Sequence, residues 1–416
     1  MAYHSTELGG AIDTTHIYYN LSITNNFTDG VVQFDVSGNV TGLRHEPTDI
    51  LNKELQFLQY RAQPYIVNPS EYFMSIVRFT VDTPTLPILI VQPRVGADAN
   101  LTVYVMTMKV AGGGTFSYPI RWNNYSNRAI PKPNSPVQPI DQTNPYYYCY
   151  TVYNFLVVLN QTLEQLYRAA TGYTYAYPYF NFDPTTNLFT VGCPVENFRT
   201  SSNGTLLGTD TQVELYFNTE LYNLFSSLPA IYKNQGNNED YQLLFSTGTN
   251  NFDISGAVPY AENIRTNSSN TRYDPYNDVL CTQEYPTIAL WNPVKSLVFR
   301  TNLLTPVPEL VGTPYIVSSS LPSYDVFSQN SNIEQILIDH VVPHTLGFEG
   351  RPSIYYEPTG EYRLTDLQGN EPVRGLAITA YWKDWQNQIH PFVLGLGCSA
   401  TIKILFRKKI FNSVLL

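Results

Sequence analysis

Charge is what this sequence has least of. Asp, Glu, Lys and Arg make up 14% of its 416 residues, against roughly a quarter in an average globular protein. What charge there is leans acidic: 24 Lys and Arg stand against 34 Asp and Glu, a formal net of −10. No Lys or Arg precedes Arg44, so there is no basic N-terminal arm. An acidic chain without such an arm is not built to wrap nucleic acid by neutralising phosphates, and strong direct nucleic-acid binding is not expected. Cysteine is scarce as well. Cys149, Cys193, Cys281 and Cys398 lie far apart with no C-x-x-C pair. They read as buried thiols of an intracellular protein rather than a disulfide framework. No apolar run reaches the roughly 18 residues needed to span a bilayer, so no transmembrane segment is expected. Met1-Ala2-Tyr3-His4 does not open a signal peptide. Without one, sequons such as Asn20-Leu21-Ser22 and Asn39-Val40-Thr41 follow from Asn- and Thr-rich composition.

Catalytic signatures are missing too. No G-x-G-x-x-G, Walker or H-E-x-x-H motif is present. Gly112-Gly113-Gly114 is followed by strand formers rather than Lys-Ser/Thr, so it is no phosphate loop. Gly397-Cys398-Ser399 continues as Ala400-Thr401 and fails the G-x-S-x-G elbow. Asp339, His340 and His344 could face one metal, but Pro343 disfavours a helix between the histidines and spacing supplies no third ligand. Glu239-Asp240 reads as a solvated pair rather than a catalytic dyad. The expectation is a protein that is not an enzyme and holds no metal or cofactor.

Tyrosine and proline are abundant, at 33 and 29 residues. Two readings of the Tyr, Asn and Thr content stand side by side. One is a surface for broad, wet, polar contacts, in which Tyr buries area at little entropic cost. The other is simply a β-rich fold, since Tyr and Thr favour strands. Strands are expected at about 16–24, 31–37, 72–82, 86–92 and 100–110, and again near 286–290 and 294–301. Leu101 to Val110 is apolar on both faces and reads as a central strand. Ala129 to Pro145 holds five prolines and is the best domain boundary, which sets one β-domain over 1–140 and a second over 141–416. The clearest helix follows, near 151–170. Val152, Phe155, Leu156, Leu159, Leu163 and Leu166 share one face, with Thr151 as cap and Gly172 past the end. A short second helix is expected near 217–228. Tyr173, Tyr175, Tyr177 and Tyr179 alternate, with only Arg168 nearby, and read as a packed or interface strand. Stretches 233–240, 247–280 and 319–332 read as polar loops.

The best-specified stretch is Ser353 to Lys409, read as a meander of four strands. Leu376, Ile378, Ala380 and Trp382 recur at every second position, as do Ala400, Ile402, Ile404 and Phe406. Period-two spacing puts each set on a face that must be covered, which makes Trp382, Ile402, Ile404 and Phe406 core residues. The last strand ends in Arg407-Lys408-Lys409, with Lys403 upstream. This basic cluster is either a solvated strand end or a patch facing a polyanion or an acidic neighbouring subunit.

Many short strands, Pro/Asn/Gly/Thr-rich loops, low charge and a length near 400 residues resemble icosahedral viral capsid proteins. Gly360-Glu361-Tyr362-Arg363, Tyr381-Trp382-Lys383-Asp384 and Ile402 to Lys409 look like a module of such sequences. The resemblance implies an all-β fold of antiparallel jelly-roll sandwiches, two in one chain with one or two inserted helices, similar to the double jelly-roll major capsid type. It implies a structural subunit of a virion that assembles with copies of itself, as a trimer or higher assembly, and with other capsid proteins. It also implies synthesis in the host cytoplasm or nucleus. Other readings are a vertex, spike or tail protein that binds a receptor, and a β-sandwich carbohydrate-active enzyme.

Overall fold

The computed structural model describes residues 16–25, 32–34, 40–43, 54–110, 114–123, 145–172, 177–194, 213–234, 236, 238–245, 278–311, 332–342, 353–358, 363–395 and 397–409. In chain order they form β1 (His16–Thr24), β2 (Val32–Phe34), β3 (Val40–Leu43), β4 (Gln56–Tyr60), β5 (Tyr72–Asp82), β6 (Leu89–Ile90), β7 (Leu101–Val110), β8 (Thr115–Arg121) and β9 (Tyr148–Cys149). Helix α1 (Val152–Thr171) is followed by β10 (Tyr179–Asp183), β11 (Leu188–Pro194), β12 (Val213–Phe217), helix α2 (Thr219–Leu224), β13 (Ala230–Tyr232), β14 (Tyr241–Leu243) and β15 (Asp278–Thr282). Then come β16 (Val294–Thr301), β17 (Glu309–Val311), β18 (Asn332–Glu334), β19 (Ile336–Val341), β20 (Ser353–Tyr356), β21 (Thr365–Asp366), β22 (Gly375–Asp384), β23 (Ile389–Pro391) and β24 (Ser399–Lys408). Strand pairings among the described residues are antiparallel, in keeping with the all-β class.

The chain divides into two compact units. Unit 1 is Met1–Leu86, Pro293–Pro343 and Gly350–Leu416; unit 2 is Pro87–Asn292 with His344–Glu349. A boundary at 140/141 does not coincide with this division. The proline stretch falls within the unit 2 segment, and all of it before Pro145 lies outside the described residues. The reason is long-range pairing. β1 runs antiparallel to β24 from His16–Arg407 to Thr24–Ser399, which joins the first and last strands in one unit. Stiff prolines mark an extended connection without saying which bodies it connects.

In unit 1 one sheet has the order β1-β24-β5-β20, with β21 also on β5, and the other β19-β16-β22-β23, with β4 also on β22. Number β1, β4, β5, β16, β19, β20, β22 and β24 from one to eight. The pairs one–eight, two–seven, three–six and four–five are all present. This is a long hairpin rolled into two facing sheets, the jelly-roll order. Phe79 of β5 meets Phe299 of β16 across the sheets, ring centroids 4.8 Å apart. Trp382, Ile402, Ile404 and Phe406 are buried in this unit. Burial of one such side chain stabilises by roughly 1.5–3 kcal/mol.

The expected C-terminal meander is not formed. β20 and β21 pair with β5, β22 pairs with β16 and β4, and β24 pairs with β1 and β5. Alternation shows that a face must be covered; it does not choose the neighbour. Within the expected meander, residues 361–362 lie outside the described residues, and of 363–366 only Thr365–Asp366 is strand.

β5 carries one irregularity. Its partners on β24 step from Ile76–Ile404 to Arg78–Lys403, leaving Val77 as an extra residue, a β-bulge. Met74 and Ile76 are buried before it, Phe79 and Val81 after it. The bulge absorbs the break in alternation, so both apolar pairs reach the same core.

Unit 2 holds a five-stranded sheet, β13-β14-β12-β7-β8, and a three-stranded one, β10-β11-β15. β7 is central, between β12 and β8, as its two apolar faces require. α1 starts where Thr151 Oγ1 accepts from the Asn154 N–H at 3.2 Å. It ends at Gly172, whose φ of 76° suits glycine. Its leucine stripe is core: Phe155, Leu159, Leu163 and Leu166 are buried, and Phe155 meets Trp291 at 5.5 Å between ring centroids. Asn160, buried on α1, accepts from Phe180 N–H at 2.7 Å and donates to Phe180 C=O at 3.0 Å, which ties the helix to β10. α2 is shorter than expected at both ends. Asn218 caps its start, where its Oδ1 accepts from Leu221 N–H at 3.2 Å and from Val105 N–H at 2.9 Å. After Leu224 the chain turns through bonds from Phe225 N–H to Tyr222 C=O and from Leu228 N–H to Phe225 C=O. Of the alternating tyrosines, 173–176 lie outside the described residues. Tyr179 is buried on β10, its ring over Gly192, where a Cβ would lie 2.4 Å from it. Stretches 247–277 and 319–331 of the expected loops also lie outside the described residues.

Candidate assembly surface

β24 presents two chemically opposite faces. Ile402, Ile404 and Phe406 point into the roll and are buried. Lys403, Leu405 and Arg407 alternate with them on the outer face, where Leu405 is buried between the two cations. Lys403 Nζ lies 5.1 Å from the ring centroid of Tyr18 on β1. Arg407 is exposed, with His16 as its register partner. The other two cations of the cluster are held within the unit. Lys408 Nζ lies 3.4 Å from a Glu71 carboxylate oxygen. Lys409 pairs with Asp366 and donates to the Ser70 carbonyl at 2.7 Å. The cluster is thus split: two cations tie β24 to the segment around Glu71 and to β21, and two face outward.

Sequence reasoning missed Arg78. It is exposed on β5 and is the register partner of Lys403. The available signal was the broken alternation of Met74, Ile76, Phe79 and Val81, which leaves Val77 and Arg78 between the two phases; Val77 is buried and Arg78 exposed.

The chemistry-bearing residues do not converge. Asp339 pairs with Lys383. His340 packs its ring against Phe79 and Tyr356, at 5.4 and 5.0 Å between centroids. Burial lowers its pKa from the ordinary 6.5, while the charge of Asp339 pulls the other way. His344 lies outside the described residues. Among the described residues no three His, Cys, Asp or Glu side chains gather as a metal site. Glu239 is not a solvated partner of Asp240: it is buried and pairs with Lys109. Asp240 accepts from Thr219 N–H at 3.0 Å and Thr219 Oγ1 at 2.9 Å at the start of α2. Local structure needs both carboxylates where they are. Ser399 donates its N–H to Asp82 at 2.7 Å, and burial raises the Cys398 thiol. Burial pushes Cys149 up to about 12, so that thiol stays protonated and unreactive. Among the described residues no helix is long and apolar enough to cross a membrane.

The family model described as Sputnik minor capsid protein V18/19 matches residues 17–408. Structural protein V19 of the Sputnik virophage is 29% identical over 213 residues, 49% of this chain and 85% of that protein. Uncharacterized protein V18 of the same virophage is 35% identical over 113 residues, 26% of this chain and 66% of that protein. A chain in the cryo-EM structure of the Sputnik virophage superposes with a TM-score of 0.67 at 25% identity, covering 95% of this chain and 99% of that one. The mavirus penton protein shares the fold, with a TM-score of 0.56 at 14% identity and the same coverage. The matched span runs from β1 to β24 and so takes in the whole rolled hairpin and the segment between β5 and β16. The chain belongs to the Sputnik minor capsid protein V18/19 family.

Proposed function

We propose that this chain is a structural subunit of a viral capsid, set at a vertex of an icosahedral shell rather than in the pseudo-hexagonal trimers that tile its faces. One observation carries the vertex reading. A pseudo-hexagonal trimer needs two equivalent blocks per chain. Among the described residues unit 1 has the one–eight, two–seven, three–six, four–five order, whereas unit 2 has sheets of five, three and two strands and a 20-residue helix. Two unlike blocks suit a ring in which each chain contributes one roll. The description of the family as a minor capsid protein agrees, as does the fold shared with a penton protein.

Its work is mechanical: it folds, associates with copies of itself and with other capsid proteins, and closes the shell. It catalyses nothing and needs no cofactor. It is made in the host cytoplasm or nucleus and resides in the virion. The test is to express the full chain and image it by negative-stain electron microscopy. Rings of five copies are expected; three-fold plaques or monomers at every concentration would overturn the vertex reading. Turnover of a glycan lost on a single carboxylate substitution would overturn the structural one.

A further inference from the structure

The outer face of the β1-β24-β5-β20 sheet has an unusual charge arrangement. Arg78 and Lys403 are direct register partners on adjacent strands. Opposed like charges on one sheet face destabilise it. Four residues along β24, Arg407 stands opposite His16. At strand geometry the two rows are roughly 13 Å apart. Among the described residues neither Arg78, Lys403 nor Arg407 has a carboxylate partner, whereas Lys408 and Lys409 on the same strand end do. The bulge at Val77 seats Arg78 in this place: Val77 is buried and Arg78 beside it is exposed. Bulges recur where a side chain must be re-aimed. Around the cations Asn20, Ser22 and Thr401 are exposed, the carboxylate on the same face, Asp82, accepts from Ser399, and Leu405 and Ser75 lie buried between the two rows.

We propose that this face docks the acidic surface of a second copy of this chain. Charge complementarity selects the partner. Each copy carries a net charge of −10, so copies repel one another unless a cationic surface lies at the contact. Arg among exposed amide- and hydroxyl-bearing side chains suits a protein interface. Three cations are too few for firm binding to nucleic acid at physiological salt. The proposal rests on the capsid-subunit reading and names the surface that such a subunit uses.

The test compares the full chain with Arg78→Gln/Lys403→Gln/Arg407→Gln and, as a milder variant, with Lys403→Gln alone. Sedimentation velocity follows self-association from about 50 to 500 mM salt, where the screening length shrinks about threefold. Both variants should keep a cooperative melt near the parent temperature, because removal of the opposed cations offsets loss of the Lys403 contact with Tyr18. The triple variant should associate about tenfold more weakly at low salt, with a flatter salt dependence. Equal association of parent and variants at every salt overturns this surface while leaving the capsid reading intact. A parent that stays monomeric throughout overturns both. Fluorescence anisotropy with a single-stranded oligothymidine is the third arm. Oligonucleotide binding that the triple variant loses, while its self-association persists, overturns the proposal in favour of nucleic acid.

Discussion

Deleting Val77 from the middle of β5 should leave unit 1 folded, although a deletion inside a central strand normally reverses every side chain beyond it. The expectation comes from the ladder to β24. Ile76 pairs with Ile404 and Arg78 with Lys403, and Val77 has no partner of its own. Without it, those two pairs become successive. Met74 and Ile76 still point inward, and so do Phe79 and Val81. What is lost is the burial of Val77, 4% exposed, worth roughly 1.5–3 kcal/mol. In a domain of about 200 residues, 1 kcal/mol moves the melting temperature by roughly 2–4 °C, so a fall of about 5–10 °C is expected. The control is deletion of Thr80, beyond the bulge. That change turns Val81 outward and Asp82 inward. It breaks the hydrogen bonds from Ser399 N–H and Oγ to Asp82, at 2.7 and 3.1 Å, and buries an uncompensated carboxylate. The cost should exceed about 5 kcal/mol, and the protein should not fold. Soluble yield and melting followed by circular dichroism distinguish the two. If the Val77 deletion loses its cooperative melt, or is as damaging as the Thr80 deletion, the assigned register is wrong.

Three further outcomes follow from the same geometry. Burial lowers the pKa of His340, so the unfolded chain binds its proton more readily and stability should fall as pH drops through about 6.5. His340→Phe should flatten that slope in urea midpoints taken between about pH 7.5 and 5; an unchanged slope would refute the assignment. Asn160→Leu leaves Phe180 N–H and C=O without their partners and should cost roughly 2–4 kcal/mol, read as a lower urea midpoint. Exchange protection of the Phe180 amide should fall with it, and a variant as protected as the parent would show that β10 does not depend on this clamp. Trp382→Ala and Phe406→Ala each empty a buried site and should cost roughly 3–5 kcal/mol; a normal melting temperature in both would mean that these faces are not core.

The sequence by itself determined the local facts. Period-two alternation marks the buried faces of β22 and β24, and 3.6-residue spacing marks the buried face of α1 between Thr151 and Gly172. Such signals involve neighbours a few residues apart, so they are legible in one chain. Even the bulge leaves a trace, because Met74 and Ile76 fall out of phase with Phe79 and Val81. Tertiary structure alone decided which strands pair. A covered face is satisfied by any strand of suitable pattern, and the choice of β1 for β24 is made by the burial of the whole roll. That choice assigned the first and last described strands to one unit and made the segment from Pro87 to Asn292 an insertion in that unit rather than part of two consecutive domains. It also divided the basic cluster at the C-terminal end. Glu71 and Asp366 approach Lys408 and Lys409 only when β5 and β21 lie beside β24. Arg78 reaches Lys403 for the same reason, and no local pattern records a pairing across so long a stretch of chain.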